Sequence, residues 1–377
     1  MSLRRRLTVA AATVGALAAA GLAAATAAQA QPDGSATYLS HFANESLVSS
    51  AASPQNGDQN PYGVFIVQQS AGRLHEGNIL VSDFNNNNAG GNLQGTGHTI
   101  VQITPRGRLS VFATINPASL HPACPGGVGL TTALEVLPGG WVVVGSVPST
   151  DGTLGTAGAG CLIVLNSEGQ PVETFSGHGI NGPWDSTEAI LGNVADLFVA
   201  NTLNGNVAAA TTSPVDQGSV LRLTLEVSRF RPPVLVHTTT VGFGFAEENG
   251  GASFVLGPTG VGLGRDGTLY VADTQDSTIH AIRNAVFGRG SAGTGTQITQ
   301  GGLLNMPLGM AIAPNGDILT VNGGDGNIVE TTPAGAQVDS KTITPNGAGA
   351  LFGLAVRPGL QGLYFVDDAV NTLNLLH

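Results

Sequence analysis

Apolar positions along this chain fall in short alternating runs of strand length, punctuated by glycine turns, and the runs recur as one phrase. The phrase is a Pro-x-Gly or a degenerate form of it, a short apolar stretch, a glycine turn, then an apolar strand ending in Asp, Asn or Ser. Its clearest copies are Pro258-Thr259-Gly260-Val261-Gly262-Leu263 with Leu269-Tyr270-Val271-Ala272-Asp273, and Pro307-Leu308-Gly309-Met310-Ala311-Ile312 with Ile318-Leu319-Thr320-Val321-Asn322. The turns between them, Asp266-Gly267 and Asn315-Gly316, supply the positive φ angles of tight hairpins. Further copies start at Pro61 and Phe352, and degenerate ones at Thr132 and Pro183, which makes six.

Each copy is followed by a polar loop and two more β-rich runs, such as Thr99–Ile103 and Arg108–Phe112. Four strands per repeat, at a period of about 40 to 50 residues, predict a radial array, because one blade cannot bury both of its faces alone. The expected fold is all-β: a six-bladed β-propeller of four-stranded antiparallel blades. After Asp367 the chain has room for one more strand, roughly Thr372 to Leu376, so the last blade lacks its outermost strand. The alternating run Ala36-Thr37-Tyr38-Leu39-Ser40-His41-Phe42 is expected to supply it and close the ring.

The stretch Gly267-Thr268-Leu269-Tyr270-Val271-Ala272-Asp273-Thr274, followed by Ser277-Thr278-Ile279, resembles the core of an NHL repeat, with weaker forms over nearly all of residues 36 to 376. Blades two and three depart from that pattern. The resemblance implies an NHL-repeat-like, exported, bacterial-type propeller. Propellers of that kind include scaffolds, peptide or glycan binders, lyases and metal-dependent lactonases, so the resemblance does not choose an activity.

Residues 1-30 read as a signal peptide: Arg4-Arg5-Arg6, an Ala/Leu/Val-rich segment from Leu7, and Ala28-Gln29-Ala30 as a small-x-small cleavage site. The competing reading is an uncleaved anchor. Residues 31-377 form a single propeller domain with no further run long enough to span a bilayer, and the expected location is secreted, periplasmic or at the cell envelope. Cleavage would remove three of 14 basic residues and none of 25 acidic ones, moving the formal charge from -11 to 11 − 25 = -14. With Lys341 as the single lysine, a nucleic-acid partner is excluded as an expectation; a small molecule, glycan or protein suits this surface better. Cys124 and Cys161 are the only cysteines, and in an oxidising compartment they are either a disulfide or two unpaired thiols.

Candidate chemistry is sparse. The strand 2 to strand 3 loops are long in blades one to three (Asp83 to His98, Ser146 to Gly160, Asn201 to Gly218) and short in four to six, which points recognition to the channel-mouth face of blades one to three or else reflects tolerated drift. Asp83, Ser146, Asn201, Asp273, Asn322 and Asp367 end the second strands; such oxygens suit Ca²⁺, and equally suit turn capping. Asn85-Asn86-Asn87-Asn88 adds amides near Asp83. Glu135 stands in the innermost strand of blade two where blades four to six have Gly262, Ala311 and Ala355, and is read as a metal ligand, a general base or a hydrogen-bonded structural carboxylate. Glu188 is a second carboxylate of this kind. Trp184 beside Asp185 forms either a ligand platform or inter-blade packing. His121 and His178 lie in loops entering blades two and three and, with Glu135, Asn201 and Asp273, make a candidate Ca or Zn set. No GxSxG elbow, P-loop or Rossmann fingerprint occurs in the right context. Two functions follow: a binding or scaffold propeller with Asp83, Asn201, Trp184 and Asp185 at its mouth, or a metal-dependent lactonase-like hydrolase or lyase.

Overall fold

The structure is a computed structural model that describes residues 36–87, 91–202, 213–249, 254–345 and 347–377. The chain divides into Met1–Gln31, which lies outside the described residues together with the expected signal peptide, and Pro32–His377, which holds the fold. Among the described residues twenty-five strands and three short 3₁₀ turns follow one another: β1 (Glu45–Ser50), β2 (Asp58–Ile66), β3 (Ile79–Asn86), β4 (Thr99–Ile103), β5 (Leu109–Thr114), β6 (Leu130–Leu137), β7 (Trp141–Ser146), β8 (Cys161–Leu165) and β9 (Pro171–Phe175). Blade three contains β10 (Pro183–Leu191), β11 (Val194–Asn201), β12 (Val215–Glu226), β13 (Val234–Asn249) and the two-residue β14 (Val255–Leu256). The remainder is β15 (Pro258–Leu263), β16 (Leu269–Asp273), β17 (Thr278–Ile282), β18 (Thr296–Gln300), β19 (Pro307–Ile312), β20 (Ile318–Asn322), β21 (Asn327–Thr331), β22 (Gln337–Thr342), β23 (Leu351–Val356), β24 (Leu363–Asp367) and β25 (Thr372–Leu376).

These strands form six antiparallel sheets, β2-β3-β4-β5, β6-β7-β8-β9, β10-β11-β12-β13-β14, β15-β16-β17-β18, β19-β20-β21-β22 and β1-β25-β24-β23, the six blades of a propeller. The second and third strands of each blade are nearly all buried, as near-continuous apolar runs covered on both faces must be.

The ring closes as expected in kind but with a different segment. The outermost strand of blade six is β1, paired antiparallel with β25 from Glu45↔Leu376 to Ser50↔Thr372. The run Ala36 to Phe42 instead makes a short 3₁₀ turn at Leu39–His41. Its apolar residues Tyr38, Leu39 and Phe42 are buried in the core of blades five and six, and the backbone amides of Tyr38 and Leu39 both donate to the Glu330 carboxylate at 2.8 Å. Alternation in that run serves anchoring, whereas the outer edge takes the more polar, half-exposed β1.

Cys124 and Cys161 form a disulfide, with Cα atoms 5.6 Å apart, tying the loop before β6 to the start of β8. No helix among the described residues is long and apolar enough to cross a membrane.

One irregularity repeats around the ring. In all six blades the ladder between first and second strands slips near the start of the innermost strand, between Pro61/Val64, Leu130/Leu134, Pro183/Ser186, Pro258/Gly260, Pro307/Met310 and Leu351/Leu354. The residue at the end of the slip is Gly63, Ala133, Asp185, Gly260, Gly309 and Gly353 in blade order. A Cβ at Gly63, Gly260, Gly309 or Gly353 would strike the carbonyl oxygen of Thr132, Leu308, Phe352 or Tyr62 in the next blade. The Pro-x-Gly phrase is thus the site of closest approach between innermost strands.

Gly353→Ala should therefore lose about 1–3 kcal/mol or more by overpacking, while Gly290→Ala, whose Cβ would meet open space, should be close to neutral. Urea denaturation of both variants checks this, and equal stabilities would contradict the contact.

Candidate functional site

The innermost strands β2, β6, β10, β15, β19 and β23 enclose a central cavity of about 280 Å³. Its wall is mainly aliphatic and glycine, with Glu135 and Asp185 as its only charged residues and no basic side chain. Glu188 lines a second cavity of about 320 Å³ that shares Gln68 with the first and adjoins the turns after β2 and β6. All three acids come from blades two and three.

Register explains how each arrives there. Counting back from the last paired residue of the second strand, Glu135 pairs with Val143 at the level where blades four to six pair Gly262, Ala311 and Ala355. Thr187 occupies that level in blade three, and Glu188, paired with Leu197, lies one residue farther along. Asp185 stands at the bulge position that is glycine in four blades. Its Oδ2 accepts the Val261 amide of blade four at 2.9 Å, a side-chain bridge at the level where the glycine-bearing blades touch backbone to backbone.

Burial sets the electrostatics. Glu135 is 8% exposed, and no hydrogen-bond donor among the described residues serves it. Its carboxyl is held well above the usual range by desolvation, then by the nearby charges of Glu188 and Asp185. Burial pushes Asp185 up to about 7 against the opposing amides of Val261 and Ser186. Glu188 rises to about 7 by burial, and its Oε2 has no partner. Carboxyls crowded into an apolar wall without a cation retain protons near neutrality, and so accept either a cationic partner or a proton in exchange.

Where the innermost strands begin, aromatic side chains pack together. Tyr62 stacks on Phe352 at 4.0 Å and on Phe84 at 4.7 Å, and Phe84 meets Trp184 and Phe254 edge-on at 5.4 Å each. Trp184 is 2% exposed within this cluster, so it packs between blades and forms no open platform, while its neighbour Asp185 turns to the cavity. The cavity lined by Glu188 lies toward the first-to-second strand turns, which Gln68–Ala71 and Pro138–Gly140 supply.

The other expected residues disperse. Asn201 caps the entry to blade three, accepting from the amides of Asn181 and Gly182 and donating to Gly179. Asp273 caps Gln275 and is raised to about 8, chiefly by burial. His121 and His178 are exposed, and His178 lines an outer groove of about 800 Å³ with Pro122 and His237. Among the described residues no three His, Cys, Asp or Glu side chains are arranged to hold a metal ion. Asp83 is fully buried in β3, and Asn88 lies outside the described residues. Sequence inspection missed the aromatic cluster, although its signal was present: the middle residue of the Pro-x-Gly phrase is aromatic in Tyr62, Trp184 and Phe352.

No protein-family model matches the chain. No curated protein matches it either. Solved structures do: a putative glucose dehydrogenase of Thermus thermophilus (13% identity, 89% of this chain and 99% of that one, TM-score 0.53), a putative gluconolactonase (14%, 89% and 91%, 0.52) and the PQQ-bound aldose sugar dehydrogenase of Streptomyces coelicolor (15%, 88% and 97%, 0.51). At these identities the likeness is one of fold.

A carboxyl whose folded pKa is raised stabilises the fold while protonated. The contribution of Asp185 is full below about pH 4 and is lost as pH rises toward its folded value of about 7. Asp185→Asn keeps an acceptor for Val261 and removes the ionisation. The variant should gain stability over wild type at pH 8, on the order of 2–4 kcal/mol, and show a flatter fall of melting temperature between pH 5 and 8. An unchanged slope would show that Asp185 ionises freely.

Proposed function

We propose that this chain is an exported ligand-binding propeller whose site is the acidic channel of blades two and three, taking a small ligand that presents a cationic group. The observation that carries this reading is the convergence of Glu135, Asp185 and Glu188 on two cavities that share Gln68 and whose linings hold one basic residue, Arg229, in the second. A ligand ammonium entering from the turn face would supply the donors and the charge that Glu135 lacks. Export is supported by the disulfide and by the leader-like composition of residues 1–30. The NHL-like character rests on the Gly267 to Ile279 stretch.

A second reading is favoured by one observation. Asp185 and Glu188 both titrate near 7, the range in which a carboxyl serves as general acid or base in a hydrolase or lyase. The divalent-metal version fits poorly, since Asn201, Asp273, His121 and His178 do not gather around Glu135.

Isothermal titration with ethanolamine, choline and putrescine tests the first reading. At least one should bind saturably, and Glu135→Gln should weaken it about ten- to hundredfold, the worth of one charge-assisted hydrogen bond, with His178→Ala unchanged. Binding of none of them, or binding indifferent to Glu135→Gln, would remove the channel as a cation site.

A further inference from the structure

The six residues at the mouth end of the second strands share one register, so they form an internal control set. Five of them are turn caps. The Ser146 hydroxyl accepts the Gly129 amide at 3.0 Å, Asn201 accepts from Gly182 at 2.8 Å, Asp273 from Gln275 at 3.0 Å and Asp367 from Ala369 at 3.1 Å, while Asn322 donates to the Leu303 carbonyl at 2.8 Å and leaves its neutral Oδ1 without a partner. Asp83, paired with Pro61 in the same register, differs. It is 0% exposed, and neither carboxylate oxygen has a hydrogen-bond partner. The one backbone amide that acts on it, that of Ser53, is donated at 2.8 Å to the Asp58 carbonyl, and its pull is outweighed by burial and by the charge of Asp58, which hold the Asp83 carboxyl well above the usual range.

Two further observations fall at the same place. β3 carries Asn85 two residues beyond Asp83, so the two side chains leave the same face of the strand. Asn85 is 3% exposed, and its Oδ1 is likewise unpartnered. Asp58, also fully buried, lies close enough for its charge to act on Asp83, and its own oxygens are served only by neutral donors from Asn56, Asn86, His98 and Thr99. The two ion pairs among the described residues lie elsewhere, Arg222 with Asp196 and Arg231 with Glu226. A fully buried carboxylate with no donor beyond the shared Ser53 amide and no counter-charge is costly, and an orphaned acceptor on the same strand face calls for a shared positive centre rather than for a capping amide.

We propose that Asp83 and the Asn85 side-chain oxygen bind a hard divalent cation, calcium by its preference for oxygen donors, in blade one. Carboxylate, amide oxygen, backbone carbonyls and water are the ligands calcium takes in sets of six to eight. This site is separate from the channel acids.

Terbium is the probe, since Phe84, the neighbour of Asp83, contacts Trp184 and Tyr62, two rings able to sensitise its emission. Purified protein should show saturable terbium luminescence that calcium displaces, and a melting temperature raised by calcium and lowered by EGTA. Asp83→Asn should abolish both responses. Asn85→Ala should weaken calcium at least tenfold while leaving the calcium-free melting temperature near wild type, which keeps the test decisive if Asp83→Asn fails to fold. Glu135→Gln should keep both responses, so loss of amine binding in the channel and loss of calcium here are independent outcomes. Absence of any calcium effect on wild type, retention of the response in Asn85→Ala, or its disappearance in Glu135→Gln would overturn the proposal. So would an Asp83→Asn variant more stable than wild type and still calcium-responsive.

Discussion

Everything in this molecule is arranged around the contact at which six innermost strands meet near the channel mouth. There the α-carbon of one blade lies against a carbonyl of the next, at Gly63, Gly260, Gly309 and Gly353, too close for a side chain. That contact coincides with the repeated ladder slip, and the residues before it, Tyr62, Trp184 and Phe352, pack in one aromatic cluster. A radial array has no other central support, because each blade buries its faces only against its neighbours.

The chemistry collects where that rule is relaxed. Blade two has Ala133 and blade three has Asp185 at the glycine position, and the same two blades bear Glu135 and Glu188 farther along the channel wall. At the junction of blades three and four, contact is made through the Asp185 carboxylate and the Val261 amide. A structural link and a titrating group are therefore one side chain, and the channel's electrostatics cannot change without a change in the packing of these blades.

The aromatic cluster has a second effect. Tyr62, Trp184 and Phe352 fill the end of the channel at which the innermost strands begin, while the cavity lined by Glu188 adjoins the tight turns after β2 and β6.

The sequence by itself determined the repeat, the number of blades, the missing outer strand of blade six and the level of Glu135, because each follows from local periodicity or from alignment of one repeat on another, whereas the cysteines were joined as a disulfide only by the fold. It misplaced the closing strand, since the alternation of Tyr38, Leu39 and Phe42 describes burial on Glu330 and the core as well as it describes a strand. Only the tertiary structure decided that Trp184 packs inward while Asp185 faces the cavity, that Asn201 and Asp273 spend their polar atoms on turns, and that Asp83 alone of its register spends none. Those outcomes depend on which donors other blades bring within reach. Such distances are set by the closure of the ring and are written in no single repeat.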